Sequence, residues 1–127
     1  MESLTVVRAL AALAQETRLA VFRLLVEQGP TGLAAGEVAA RLGIAPATLS
    51  FHLKELSHAG LVSTRQDGRY VYYAADFSTM NGLLAFLTEN CCVADGSSCA
   101  APGCAPRPAP KATPSTRTRP SRRKVNA

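Results

Sequence analysis

Ala35-Gly36-Glu37-Val38-Ala39-Ala40-Arg41-Leu42-Gly43-Ile44-Ala45-Pro46-Ala47-Thr48-Leu49-Ser50-Phe51-His52-Leu53-Lys54-Glu55-Leu56 is the stretch on which the fold turns. Ala35, Val38, Ala39 and Leu42 recur at the spacing of one helix face, and Gly43 stops the pattern. Pro46 then stands at a first helical position, where its missing N–H costs nothing. Leu49, Leu53 and Leu56 form the buried stripe of the helix that follows, which ends at Ala59-Gly60. Two short helices joined by a glycine-containing turn make a helix-turn-helix.

Upstream, Leu4, Val7, Ala11 and Ala14 predict a first helix with one apolar stripe. A second helix is expected from about Glu16 to Gln28, with Leu19, Phe22, Leu25 and Val26 inward. Gly29-Pro30-Thr31-Gly32 closes it with turn residues. Downstream, Leu61-Val62-Ser63-Thr64-Arg65 and Tyr70-Val71-Tyr72-Tyr73 are β-rich runs around Gln66-Asp67-Gly68-Arg69, a hairpin signal. Asp76 is placed to cap a last helix whose Met80, Leu83, Leu84 and Leu87 make one stripe. Four helices, a hairpin and a helix describe a mainly α fold with a β-hairpin wing, a winged helix-turn-helix.

The bulk composition agrees with one such body. The chain has 127 residues, 47% of them hydrophobic, with 6% aromatic and no Trp, so its core is mainly aliphatic. No basic stretch precedes an apolar run at the N-terminus, and no apolar run approaches the ~18 residues of a membrane span. A cytoplasmic location is expected, where four cysteines act as thiols, metal ligands or redox groups and not as a disulfide scaffold. The net charge is +5, but residues 105–127 hold seven of the 14 basic residues and no acid. Residues 1–104 therefore carry seven basic against nine acidic groups, a net of −2. If the folded part binds nucleic acid, it does so with locally placed cations and not a general positive field. The expected organisation is a DNA-binding and dimerisation domain over 1–92, a cysteine-containing loop over 93–104 and a disordered, basic, Pro-rich tail over 105–127.

A wheel anchored on Leu49 and Leu53 turns Ala47, Phe51, Lys54 and His58 outward, with Thr48 and Ser50 on the flanks. Short hydroxyl residues near a helix N-terminus suit base edges, and Ala47 and Phe51 suit thymine methyls. Lys54 suits phosphate, and Arg65 and Arg69 flank the wing tip. His52 lies close to the buried stripe, which favours packing or phosphate anchoring over base reading. Taken singly, each of these residues also fits a solvated surface. The only two histidines, His52 and His58, lie on this helix, and no nucleophile–base or paired-carboxylate arrangement accompanies them. The chain is not expected to be an enzyme.

Leu13-Ala14-Gln15-Glu16-Thr17-Arg18-Leu19, Gly36-Glu37-Val38-Ala39-Ala40-Arg41-Leu42-Gly43 and Ala47-Thr48-Leu49-Ser50-Phe51-His52-Leu53-Lys54-Glu55-Leu56 with Ala59-Gly60-Leu61-Val62 resemble the ArsR/SmtB family of metal-responsive repressors. The resemblance covers roughly residues 4–92. It implies a homodimer held by the first and last helices, bound to double-stranded operator DNA of two-fold symmetry. Gln15-Glu16 replaces the family's acidic residue and proline, Pro46 stands where Gln is common, and Phe51 where Arg or Gln is frequent.

Two metal sites of the family are missing. Ala34 and Gly36 occupy the positions of the third-helix thiols, and Ser78 replaces the His that would accompany Asp76. What remains is Cys91-Cys92, Cys99 and Cys104. Thiolates select soft ions, and trivalent arsenic takes three sulfurs in a trigonal pyramid. A disulfide between sequence neighbours is strained, which fits a vicinal pair to chelation. The pattern resembles the C-terminal arsenite site of some ArsR proteins, with Cys91, Cys92 and Cys99 as ligands, Cys104 spare or substituting, and As(III) or Sb(III) as inducer. A four-cysteine site for zinc, cadmium or lead, a disulfide-forming redox switch, and inert packing cysteines stand beside it.

Overall fold

The computed structural model describes residues 1–94 and 96. Cys99, Cys104 and the basic tail, to which three of the sequence expectations attach, lie outside the described residues. The elements are α1 (Ser3–Leu13), α2 (Glu16–Gln28), β1 (Leu33–Ala34), α3 (Ala35–Leu42), α4 (Pro46–His58), β2 (Val62–Asp67), β3 (Tyr70–Ala75) and α5 (Phe77–Thr88). Met1–Phe86 forms one compact unit, and the described residues from Leu87 onward lie outside it.

The helix-turn-helix forms as the spacing predicts, and the structure shows how. Gly43 ends α3 in the left-handed conformation, φ 66° and ψ 39°, which a side chain would oppose. Ile44 N–H then reaches back to the Ala39 carbonyl at 3.1 Å, so α3 closes on itself and the chain is redirected within three residues. Pro46 starts α4. Leu49, Leu53 and Leu56 are at most 2% exposed and pack with Val21, Leu25, Val38 and Leu61. Each such leucine contributes roughly 1.5–3 kcal/mol by leaving water.

The wing is a three-stranded antiparallel sheet ordered β1-β3-β2. Asp67 pairs with Tyr70, so the hairpin loop is Gly68-Arg69 and not the Asp67-Gly68 centre read from the sequence. Gly68 takes φ 65° while Arg69 does not share a positive φ. That is the two-residue loop in which the first position demands glycine. The two-residue β1 was not foreseen. Leu33 and Ala34 pair with Tyr73 and Tyr72, a register that only the folded sheet supplies. Asp76 caps α5 as expected, its Oδ1 accepting the Thr79 N–H at 3.0 Å.

Two apolar stripes differ from expectation. In α1 the buried residues are Val6, Ala9 and Ala12, while Leu4 and Val7 are 57% and 59% exposed and Ala11 and Ala14 lie outside. The helix is apolar on nearly every face, so periodicity alone fits two orientations. The small side chains Ala9 and Ala12 face the core, where they permit close helix approach, and the larger ones face out. In α2, Val21 joins Phe22 and Leu25 in the core and Leu19 is left exposed, a rotation of the stripe. Of the stripe expected in α5, Leu83 is buried and Met80 half-buried, whereas Leu84 and Leu87 are exposed.

Candidate nucleic-acid interface and thiol pair

The helix-turn-helix presents α4 with Ala47, Thr48, Ser50, Phe51, Lys54 and His58 all exposed, the set the wheel predicts. Phe51 is 56% exposed, a large apolar ring on a face shared with the short Ala47, Thr48 and Ser50 and the longer Lys54 and His58. His52 is buried, as its place beside the leucine stripe implies. Its Nδ1 lies 3.4 Å from Arg18 Nη1. Arginine has donors only, so in this contact the guanidinium donates and Nδ1 accepts. Arg18 Nε also donates to the Ala12 carbonyl at 2.6 Å, satisfying one of the free carbonyls at the C-terminal end of α1. The start of α2 is held by Gln15, whose side chain accepts the Arg18 N–H at 2.8 Å. Gln15 thus supplies the N-cap acceptor although it departs from the acidic residue of the family pattern.

The cations of the wing differ in their freedom. Arg69 stands exposed in the hairpin loop beside exposed Tyr70. Arg65 donates to the Thr31 carbonyl at 2.9 Å, lies 3.6 Å from Asp67 Oδ2 and sits 4.7 Å over the ring of its cross-strand partner Tyr72. It ties the wing to the loop before β1 while remaining about half exposed. On α3, Arg41 pairs with Glu37 at 3.0 Å, an exposed i,i+4 bridge. Sequence reasoning missed the tying role of Arg18 and the position of Tyr70. For Arg18 the signal was its placement in the quoted motif, and for Tyr70 its adjacency to the hairpin loop.

The second candidate site follows α5. Thr88 closes the helix, Cys91 N–H returns to the Thr88 carbonyl at 3.0 Å, and Asn90 and Cys92 both adopt left-handed φ of 59° and 64°. This tight turn brings Cys91 Sγ and Cys92 Sγ to 3.1 Å with no disulfide between them. The Cys92 sulfur shares the Cys91 proton, and with partial burial and the neighbouring thiolate charge it raises the Cys91 pKa above the ordinary thiol value. Zinc–thiolate bonds of about 2.3 Å at tetrahedral angles put two sulfurs of one ion roughly 3.8 Å apart, so the pair would open by about 0.7 Å to share such an ion. Of the four sequence-predicted thiols, the structure brings these two together, and no larger His/Cys/Asp/Glu cluster occurs among the described residues. The Asp76 carboxylate is engaged in capping α5.

Among the described residues no helix is long and apolar enough to cross a membrane. A helix-turn-helix domain family matches residues 13–65. The chain is 44% identical over 78 residues to YceK of Bacillus subtilis, described as an HTH-type transcriptional regulator, covering 61% of this chain and 77% of that protein. It is similar in structure to a homodimeric winged helix-turn-helix DNA-binding domain of Mycobacterium bovis, a possible ArsR-family regulator. That match has 30% identity, a TM-score of 0.56, and coverage of 72% and 79%. Reduced HlyU of Vibrio cholerae matches at 30% identity and a TM-score of 0.53, over 64% of this chain and 83% of that one.

Proposed function

The chain belongs to the ArsR family of winged helix-turn-helix transcriptional regulators, and from that premise we propose that it is a homodimeric repressor that leaves its operator when arsenite or antimonite binds Cys91, Cys92 and Cys99. The observation that carries the sensing part is the thiol pair, two sulfurs 3.1 Å apart with no disulfide between them in a turn directly after α5. Cys99 supplies the third sulfur across residues 93–98, with Cys104 spare or substituting for it.

The dimer is supported by Leu4 and Val7 on α1 and Leu84 on α5, all large, apolar and exposed in one protomer, and by the homodimeric relative. DNA contact falls to Ala47, Thr48, Ser50, Phe51 and Lys54 of α4 and to Arg69 and Arg65 of the wing, with His52 anchoring from beneath. Residues 1–92 bind DNA and dimerise, 93–104 sense, and the basic tail over 105–127 adds phosphate contacts. Two recognition helices must sit ~34 Å apart to enter successive major grooves. Closing a three-sulfur ring at the end of the dimer helix alters that spacing. A coupling of ~1–3 kcal/mol, or about 5–150-fold in affinity, suffices for induction.

The test is operator binding by the reduced protein, titrated in parallel with arsenite and with zinc or cadmium. Release by arsenite near one equivalent per site, lost in Cys91→Ser while DNA binding persists, is the expected result. Release by the divalent ions alone assigns a tetrahedral four-cysteine site instead. A thiol redox switch is the second reading, favoured by the similarity to an HlyU structure described as reduced. It predicts release by a thiol oxidant with no thiophilic ion present.

A further inference from the structure

On the reading face of α4 the groups able to hydrogen-bond base edges are the short hydroxyls Thr48 and Ser50 and the cation Lys54, and no Arg, Asn or Gln stands beside them to contact purines. The largest group on that face is the Phe51 ring, 56% exposed and outside the hydrophobic core of the described residues. The apolar feature that the major groove offers such a ring is the C5-methyl of thymine.

The ring is also supported. It meets the His52 imidazole edge-on, centroids 5.4 Å apart with the planes at 64°. His52 is only 8% exposed, and its Nδ1 is held by Arg18, which is itself fixed to the Ala12 carbonyl of α1. An exposed aromatic resting on a buried, hydrogen-bonded ring loses less freedom on binding than an isolated one.

We propose that Phe51 is a specificity-determining residue that reads the methyl group of one thymine in each operator half-site, with His52 and Arg18 as the positioning residues that hold its ring. This rests on the DNA-binding reading above and names the base chemistry its operator must contain. Removing one buried methyl costs about four-fold in affinity, from roughly 0.8 kcal/mol per group.

The test starts from duplexes selected by the full-length chain from a random pool. Each thymine is then replaced singly by deoxyuridine, which removes only the methyl. One position per half-site is expected to lose about four-fold, and Phe51→Ala is expected to bind thymine and uracil duplexes equally there. His52→Gln keeps an acceptor for Arg18 but removes the ring edge. Its thymine-to-uracil affinity ratio should fall toward one, a readout that a general loss of stability does not move. Equal binding of every uracil duplex by the wild type, or a methyl preference that survives Phe51→Ala, overturns the assignment to Phe51. An unchanged ratio in His52→Gln overturns the positioning role. Failure to select any sequence overturns the DNA-binding reading itself.

Discussion

Arg18 shows how much one side chain can join. It satisfies the carbonyl of Ala12 at the end of α1 and the Nδ1 of buried His52 on α4 from a place in the first turn of α2. Arg18→Ala leaves both acceptors without this partner, at a cost of about 1–3 kcal/mol for a buried unsatisfied group. A lower urea midpoint with an unchanged slope is the expected result, and an unchanged midpoint refutes the bracing role. Cys91 carries the pH dependence. Its proton is shared with Cys92 and its pKa lies above the usual thiol value, yet a metal ligand must be the thiolate. Ion binding therefore releases protons, so affinity is weakest at acidic pH and rises until the pH passes the raised thiol value. Titrations in two buffers of different ionisation enthalpy, repeated across neutral to alkaline pH, measure this. An affinity flat over that range removes the pair as ligands. At this scale the sequence disclosed the residue types, including the inward lean of His52. It did not disclose hydrogen-bond partners, because Arg18 and His52 are 34 positions apart.

Elements were legible where stop signals and periodicity agreed. Gly43, Pro46 and the Leu49/Leu53/Leu56 stripe define α3 and α4, and Asp76 marks the start of α5. The orientation of α1 was not legible, since Leu4, Val7, Ala11 and Ala14 form as good a stripe as the Val6, Ala9 and Ala12 that the core accepts. Leu4, Val7, Ala11 and Ala14 are exposed in the protomer, and in the proposed dimer this stripe meets the second copy. Val7→Asp is expected to leave the monomer folded, as Val7 is exposed. It should convert the dimer to monomer in sedimentation and weaken operator binding. A dimer that persists places the interface elsewhere. The turn of the wing was misplaced by one residue because Asp-Gly and Gly-Arg both suit tight hairpins. The Asp67–Tyr70 pairing decides between them, and that is a property of the sheet.

For the whole molecule, charge is divided unevenly along the chain. Residues 105–127 carry seven cations and no acid, whereas residues 1–104 carry a net of −2. Each phosphate neutralised steepens the dependence of log affinity on log salt by about 0.9. Deleting residues 105–127 should therefore flatten the salt dependence of operator binding. An equal slope reduces the tail to a linker.

The sequence by itself determined the order of the five helices and the hairpin, the helix-turn-helix, and the presence of a vicinal cysteine pair. These depend on local rules: periodicity, capping, turn residues and residue chemistry. Only tertiary structure decided which face of α1 is buried, that β1 joins the wing, that Arg18 holds His52 beneath Phe51, and that the two thiols meet at 3.1 Å. Such choices follow from close packing and pairing between distant segments or from the exact path of a turn, where several arrangements satisfy the same local rules and the folded chain selects one.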